Sequence, residues 1–168
     1  MRKYAGCGAR STPQEILEVM VELGSQLTDL GWMLRSGAAT GADSAFEKGC
    51  TGAKEIYLPW EGYNDRSVLE KGVYIGASAL TIEHAMHYHP NPAALTQGVK
   101  KLHARNSAIV GGLELDDPVD MVICWTPYGE VTGGTGQAMR IAIDNEIPIF
   151  NLALDKDWDL LEQFVETK

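Results

Sequence analysis

The sequence is short of cysteine, of basic residues and of long apolar runs, and each shortage excludes something. Three cysteines, Cys7, Cys50 and Cys124, stand far apart in 168 residues. An odd number at wide spacing supports neither a disulfide framework nor a zinc knuckle. Free thiols fit a reducing, cytoplasmic setting. No apolar stretch approaches the roughly 20 residues needed to span a bilayer, so no membrane partner is expected. Met1-Arg2-Lys3-Tyr4 runs straight into a strand-like segment, without the apolar region of a signal peptide. Lysine and arginine number 14 against 23 aspartates and glutamates, for a formal net charge of −9. Nucleic-acid binders gain affinity by neutralising phosphates with basic side chains, so broad DNA or RNA binding is not expected. A small anion held by a few local donors remains compatible with this balance.

Glycine is what the chain has in excess, 18 residues without a collagen period. Such glycines mark sharp turns or close approach of the backbone to a ligand. The length suits one domain over residues 1–168 with a core of its own. Lys3–Gly6 reads as a first strand. Thr12-Pro13-Gln14-Glu15 reads as a helix start, with Thr12 as cap, Pro13 at the first helical position and Glu15 completing a capping box. Helical spacing then runs from Ile16 to Leu30 and stops at Gly31. A second strand at Trp32–Ser36, a helix at Ala42–Gly49 and a third strand at Lys54–Leu58 follow. Trp60–Gly76 reads as irregular. Helices are expected at about Ala77–His87 and Pro92–Val110, and a strand buried on both faces at Val119–Trp125. After a glycine-rich turn at Thr126–Gly136 come a helix at Gln137–Asn145, a strand at Ile147–Leu152 and a last helix at Trp158–Glu166. Strands alternating with helices give an α/β fold: a Rossmann-like, doubly wound, mostly parallel sheet flanked by helices.

Three strand ends carry the functional signal: Gly6-Cys7-Gly8-Ala9-Arg10, Ser36-Gly37-Ala38-Ala39-Thr40-Gly41-Ala42-Asp43, and Gly133-Gly134-Thr135-Gly136-Gln137. In open α/β sheets ligands bind beyond the carboxyl ends of the strands. Helix N-termini there offer free N–H groups to an anion. None of the three is a Walker loop, and none is a Gly-x-Gly-x-x-Gly fingerprint with an acidic residue at the next strand end. Ser36, Thr135 and Asp43 are expected to orient a sugar, and Arg10 to meet a phosphate. Trp60 and Asn64, beside Tyr63 in the irregular loop, are expected to cover a base, with Trp125 lining the pocket. Asp43 can equally close a capping box with Thr40. His84, His87 and His89 lack a cysteine or carboxylate at fixed ligand spacing, so neither a metal nor another resident cofactor is expected. Cys7 reads as a small filler.

Ser36-Gly37-Ala38-Ala39-Thr40-Gly41-Ala42-Asp43 resembles the Ser-Gly-x-Ala-x-Gly-x-Asp signature of the DprA/Smf proteins. The segment from His103 through Arg105 and Asn106 to Gly111 resembles their Arg-Asn-x-x-Ile-x-Gly segment. Gly133-Gly134-Thr135-Gly136 is similar to the Gly-Gly-x-Gly-Thr-x-x-Glu motif of the LOG nucleotide phosphoribohydrolases. The resemblance, to the SLOG superfamily and its small stand-alone DprA-like members in phage and bacteria, covers most of the chain in the expected order. It implies a nucleotide or nucleotide-derived ligand and commonly a homodimer. The chain departs where LOG enzymes carry their glutamate: Arg140 stands there. Arg105 can still supply the arginine that the resemblance associates with cleavage of the N-glycosidic bond. Either another carboxylate, Asp43 or Glu130, does the work of the missing one, or hydrolysis is lost and binding remains. A binding protein or sensor is thus the first expectation. The alternatives are a nucleoside-monophosphate N-glycosidase and a module for single-stranded DNA.

Overall fold

A computed structural model describes residues 1–168 throughout. Six parallel strands form one sheet: β1 (Lys3–Gly6), β2 (Met33–Ser36), β3 (Lys54–Leu58), β4 (Val73–Ile75), β5 (Met121–Cys124) and β6 (Ile149–Asn151). Their spatial order is β4-β3-β2-β1-β5-β6, every neighbouring pair parallel. Six helices flank the sheet: α1 (Gln14–Asp29), α2 (Ala42–Gly49), α3 (Ala79–Tyr88), α4 (Gln97–Gly111), α5 (Gly133–Asp144) and α6 (Asp155–Glu166). None is long and apolar enough to cross a membrane.

Alternation along the strands divides the apolar side chains between two cores. Tyr4 of β1 and Met121 and Ile123 of β5 face a core closed by α1, α2 and α6 through Met20, Leu27, Phe46 and Leu161. Ala5, Val122 and Cys124 face the other, closed by α4 and α5 through Ala108, Ile109, Ala138 and Ile141. Both faces are covered, so β5 is apolar and buried on both sides. Between α1 and α2 the backbones nearly touch. A Cβ on Gly24 would lie 2.6 Å from the Phe46 carbonyl.

The chain order turns back between β1 and β5. The loop after β1 and the loop after β5 therefore part at the carboxyl edge of adjacent strands, which opens a crevice there.

Four local expectations are corrected. The Trp60–Gly76 stretch contains an edge strand, β4, only three residues long and buried only at Val73. Thr12 does not cap α1: its hydroxyl donates back to the Ala9 carbonyl at 2.6 Å, and Pro13 occupies the cap position. Asp43 forms no capping box with Thr40, because Gly41 stands at the cap of α2. The glycine run after β5 is the first turn of α5, not a loop before it.

Candidate ligand site at the carboxyl edge

A cavity of about 410 Å³ opens in the crevice, a size ordinary for a small-molecule site. Members of all three glycine-rich turns line it. Cys7, Gly8, Ala9 and Arg10 come from the first, Ala39 and Asp43 from the second, and Gly133, Gly134 and Thr135 from the third. The fourth wall is a face of α4, with Val99, Leu102, His103, Arg105 and Asn106, and Tyr63 and Ala138 complete the lining.

The third turn is an open helix N-terminus. No side chain caps α5, and its first intrahelical bond runs from Gly136 N–H to the Thr132 carbonyl at 2.9 Å. The N–H groups of Gly133, Gly134 and Thr135 are left for another acceptor. Gly133 has φ +67°, in the left-handed region that favours glycine. A Cβ on Gly134 would meet no atom within 4 Å, so its lack of side chain leaves open space rather than relieving a packing clash. Asn106 donates from Nδ2 to the Gly134 carbonyl at 3.2 Å and fixes this turn to α4.

Arg105 dominates the electrostatics. Its side chain is only 7% exposed. Its guanidinium donates from Nη1 to the Gly37 carbonyl and from Nε to the Leu102 carbonyl at 3.2 Å, and lies over the Tyr63 ring, 5.4 Å from its centroid. No carboxylate stands within ion-pair distance of it. Asp43 is nearby but engaged: Oδ2 accepts the N–H groups of Gly37 at 3.1 Å and Ala39 at 3.3 Å. Burial raises the Asp43 carboxyl above its ordinary value, while Arg105 and those two N–H groups pull it down. His103 is held neutral, its pKa lowered to about 4 by burial and then by His89, Arg140 and Arg105. Its Nδ1 is buried with no hydrogen-bond partner. The Cys7 thiol is pushed well up by burial and by Cys124 and Asp43, so it stays protonated, as a filler would.

Backbone strain gathers around the cavity. Of the six non-glycine residues with positive φ, Ala38, Asn64, Asp65 and Tyr128 sit in loops at the carboxyl edge. Asn64 donates to the Ala38 carbonyl at 2.9 Å, tying two of them together. Strain of this kind persists where surrounding contacts hold it, and it clusters at ligand sites.

Of the residues expected to bind a ligand, Gly8, Arg10, Asp43, Arg105, Asn106, Gly133, Gly134 and Thr135 line this cavity. Several other expected residues form its supports instead. The Ser36 hydroxyl is fully buried and donates to the Gly6 carbonyl at 2.7 Å, so it ties two strand ends and does not orient a sugar. Gly6 is required by packing, since a Cβ there would lie 2.7 Å from the Phe46 ring. Gly37, Ala38 and Gly41 shape the second turn through the Asp43, Arg105 and Asn64 bonds. Trp125 offers its carbonyl to Ala9 N–H at 3.0 Å. Gln137 is fully buried and donates to the Ala85 carbonyl at 2.8 Å, and Gly136 packs against Val131. Trp60 leans edge-on against Tyr63, and it is Tyr63 that faces the cavity. Glu130 is exposed and outside the lining. Arg140, at the position of the LOG glutamate, is also outside it: it donates to the Tyr88 carbonyl at 3.0 Å and to Gln137 at 2.6 Å. His84 bonds Ser107, His89 stacks near His103, and no three His, Cys, Asp or Glu side chains converge as a metal site. Sequence reasoning found Arg105 and Asn106 on α4 but missed Val99, Leu102 and His103 beside them, because their helical spacing gives no sign that this face crosses back over the crevice.

No protein-family profile matches the sequence, and no curated protein aligns with it. Solved structures do match. The Moco carrier protein of Chlamydomonas rheinhardtii superposes with a TM-score of 0.57 at 15% identity, over 99% of this chain and 86% of that one. DNA processing protein A from Helicobacter pylori, described in its single-stranded DNA binding mode, gives 0.56 at 18% identity, over 98% and 73%. The molybdenum cofactor binding protein of the phototrophic bacterium Rippkaea orientalis gives 0.53 at 16%, over 98% and 85%. The fold is the one these proteins share. The likeness to DprA carried by the motifs thus holds in three dimensions at the level of fold.

Proposed function

We propose that the chain binds a nucleotide or nucleotide-derived small molecule in the carboxyl-edge cavity, as a carrier or sensor. The observation that carries this is Arg105, a cation 7% exposed that faces the cavity and has carbonyl partners but no carboxylate. The carboxylate that feels this charge, Asp43, lies beyond ion-pair distance and is held by two backbone N–H groups, so an anionic ligand would give Arg105 the direct partner it lacks. The open α5 N-terminus and Arg10 add donors for a phosphate on the same cavity. Val99, Leu102, Ala138 and Tyr63 offer an apolar wall suited to the flat face of a base. That fold neighbours carry or bind the molybdenum cofactor supports small-molecule binding in such a crevice.

A second reading, cleavage of an N-glycosidic bond, rests on Asp43 as the one carboxylate in the lining. It is weakened because Asp43 is already bonded to two backbone N–H groups. A charge of −9 argues against the single-stranded DNA mode of the Helicobacter pylori neighbour. Mass spectrometry of small molecules released on denaturing the purified protein tests the proposal. A stoichiometric phosphorylated ligand, lost from Gly134→Val, supports it. Release of free base from nucleoside monophosphates, abolished by Asp43→Asn, favours the hydrolase.

A further inference from the structure

A second concavity lies on the sheet face carrying α1 and α6. It has a volume of about 420 Å³ and is floored by Val19, Leu23, Leu27, Leu152, Leu161 and Val165. Leu30 and Trp158 stand half-exposed on its rim, with Glu22, Glu162 and Glu166. Apolar side chains recur along α1 at 19, 23, 27 and 30 and along α6 at 158, 161 and 165, so two helical stripes border one trough. Val19 to Leu30 spans about 17 Å at 1.5 Å per residue, some three turns of a facing helix.

The lining of the trough carries Glu22, Glu162 and Glu166 and no basic side chain, while Arg2 meets the Leu30 carbonyl at its end and Lys168 lies over Phe164. α1 contains Glu15, Glu18, Glu22 and Asp29 and no basic residue; α6 contains Asp155, Asp157, Asp159, Glu162 and Glu166 with Lys156 alone opposing them. Together the two helices carry a net −8 of the chain's formal −9. Most of the chain's excess negative charge therefore sits on these two helices, although Asp157 points inward to the Asn151 N–H. A second copy docked face to face would bring two such surfaces together, which like-charge repulsion opposes.

We propose that the α1/α6 trough is a docking surface for a protein partner that presents a basic amphipathic helix, apolar side chains inward and lysine or arginine along both flanks. Leucine-sized anchors fill the trough, and the flanking cations meet Glu22, Glu162 and Glu166. The surface is lined by none of the residues of the carboxyl-edge cavity, so it serves to connect a ligand-holding domain to another protein.

The test uses a synthetic 14-residue peptide of leucine and lysine, with leucine at i, i+3, i+4 and i+7. A control peptide carries glutamate in place of every lysine. Trp158, on the rim, reports binding through its fluorescence. The native chain is expected to bind the lysine peptide, with affinity falling as salt rises. Glu22→Gln/Glu162→Gln/Glu166→Gln is expected to weaken it by about tenfold, three exposed ion pairs being lost. Leu23→Asp is expected to abolish it, and Glu83→Gln/Glu114→Gln, on the opposite face and the far edge, to leave it unchanged. Equal binding of the glutamate peptide, equal loss in the remote pair, no binding at all, or a dimer in sedimentation that buries Trp158 would overturn the proposal.

Discussion

Two arginines are buried in this protein, and they live in opposite circumstances. Arg35 of β2 is 1% exposed and is met by carboxylates: Nη2 lies 2.6 Å from Asp117 Oδ2, Nη1 donates to the Asp117 carbonyl at 2.5 Å, and Glu55 stands 3.7 Å from Nε. Lys3 joins the same group through Asp117 at 3.0 Å. Arg105 has only carbonyls and an aromatic face. The first charge is neutralised within the fold, although Nε makes no hydrogen bond, and it stitches β2 to the segment before β5. The second gains a direct partner only when an anion enters the cavity. Burial of a charge is therefore no guide to its role until its partners are counted.

The largest effect expected from breaking this contrast is on stability. Arg35→Ala leaves Asp117 with Lys3 alone as a charged partner and empties a fully buried site, and is expected to cost about 3 kcal/mol in denaturant unfolding. The loss is moderated because Asp117 is half-exposed. Arg105→Gln is expected to cost under about 1 kcal/mol, because relief of an unpaired buried charge offsets the lost carbonyl bonds. Its effect falls on ligand affinity instead. A stability loss from Arg105→Gln as large as that from Arg35→Ala would erase the distinction.

The glycines sharpen the same comparison. Gly8→Ala would set a Cβ 2.6 Å from the Ala42 Cβ and is expected to cost about 1–3 kcal/mol as overpacking. Gly134→Ala meets nothing within 4 Å and is expected to fold with undiminished stability, yet to lose ligand by crowding the α5 N-terminus. Thermal unfolding and ligand binding of the two variants should therefore separate in opposite directions.

The smallest expected effect is on pH dependence. His103 has a folded pKa of about 4 against an ordinary 6.5, so the unfolded chain takes up its proton first. Stability from this group is present above pH 6.5 and is lost as pH falls towards 4. His103→Gln is expected to flatten that limb by about 1 kcal/mol, the ring being only half-buried. Asp117, lowered mainly by Lys3 and also by Arg35, contributes stability above the ordinary carboxylate range that is lost only as pH drops below about 4. The two limbs are thus resolvable in one acid titration of unfolding.

Much of this was legible in the sequence where local chemistry is decisive. Strand ends at Gly6 and Ser36, and helices starting after them, follow from apolar runs broken by glycine. β4 was hidden because three residues with one buried side chain carry no period. The expected caps of α1 and α2 failed because Thr12 bonds back into its own loop, and Asp43, expected to close a capping box with Thr40, accepts from the loop N–H groups instead. In the cavity the turns were legible but the supports were not: Ser36 and Gln137 carry polar groups that point inward to carbonyls. Arg140 shows the limit of aligning a motif alone, because one helical turn beyond Gly136 its side chain leaves the crevice for α3.

The central claim is that Arg105 waits for an anion. Isothermal titration of adenosine and guanosine, and of their mono- and diphosphates, into the native chain and Arg105→Gln tests it most directly. Binding of the phosphorylated members but not the nucleosides, weakened about 100-fold in Arg105→Gln by loss of charge-assisted bonds, is the expected result. Nucleosides binding as tightly as nucleotides, or nucleotide affinity unchanged in Arg105→Gln, would contradict it.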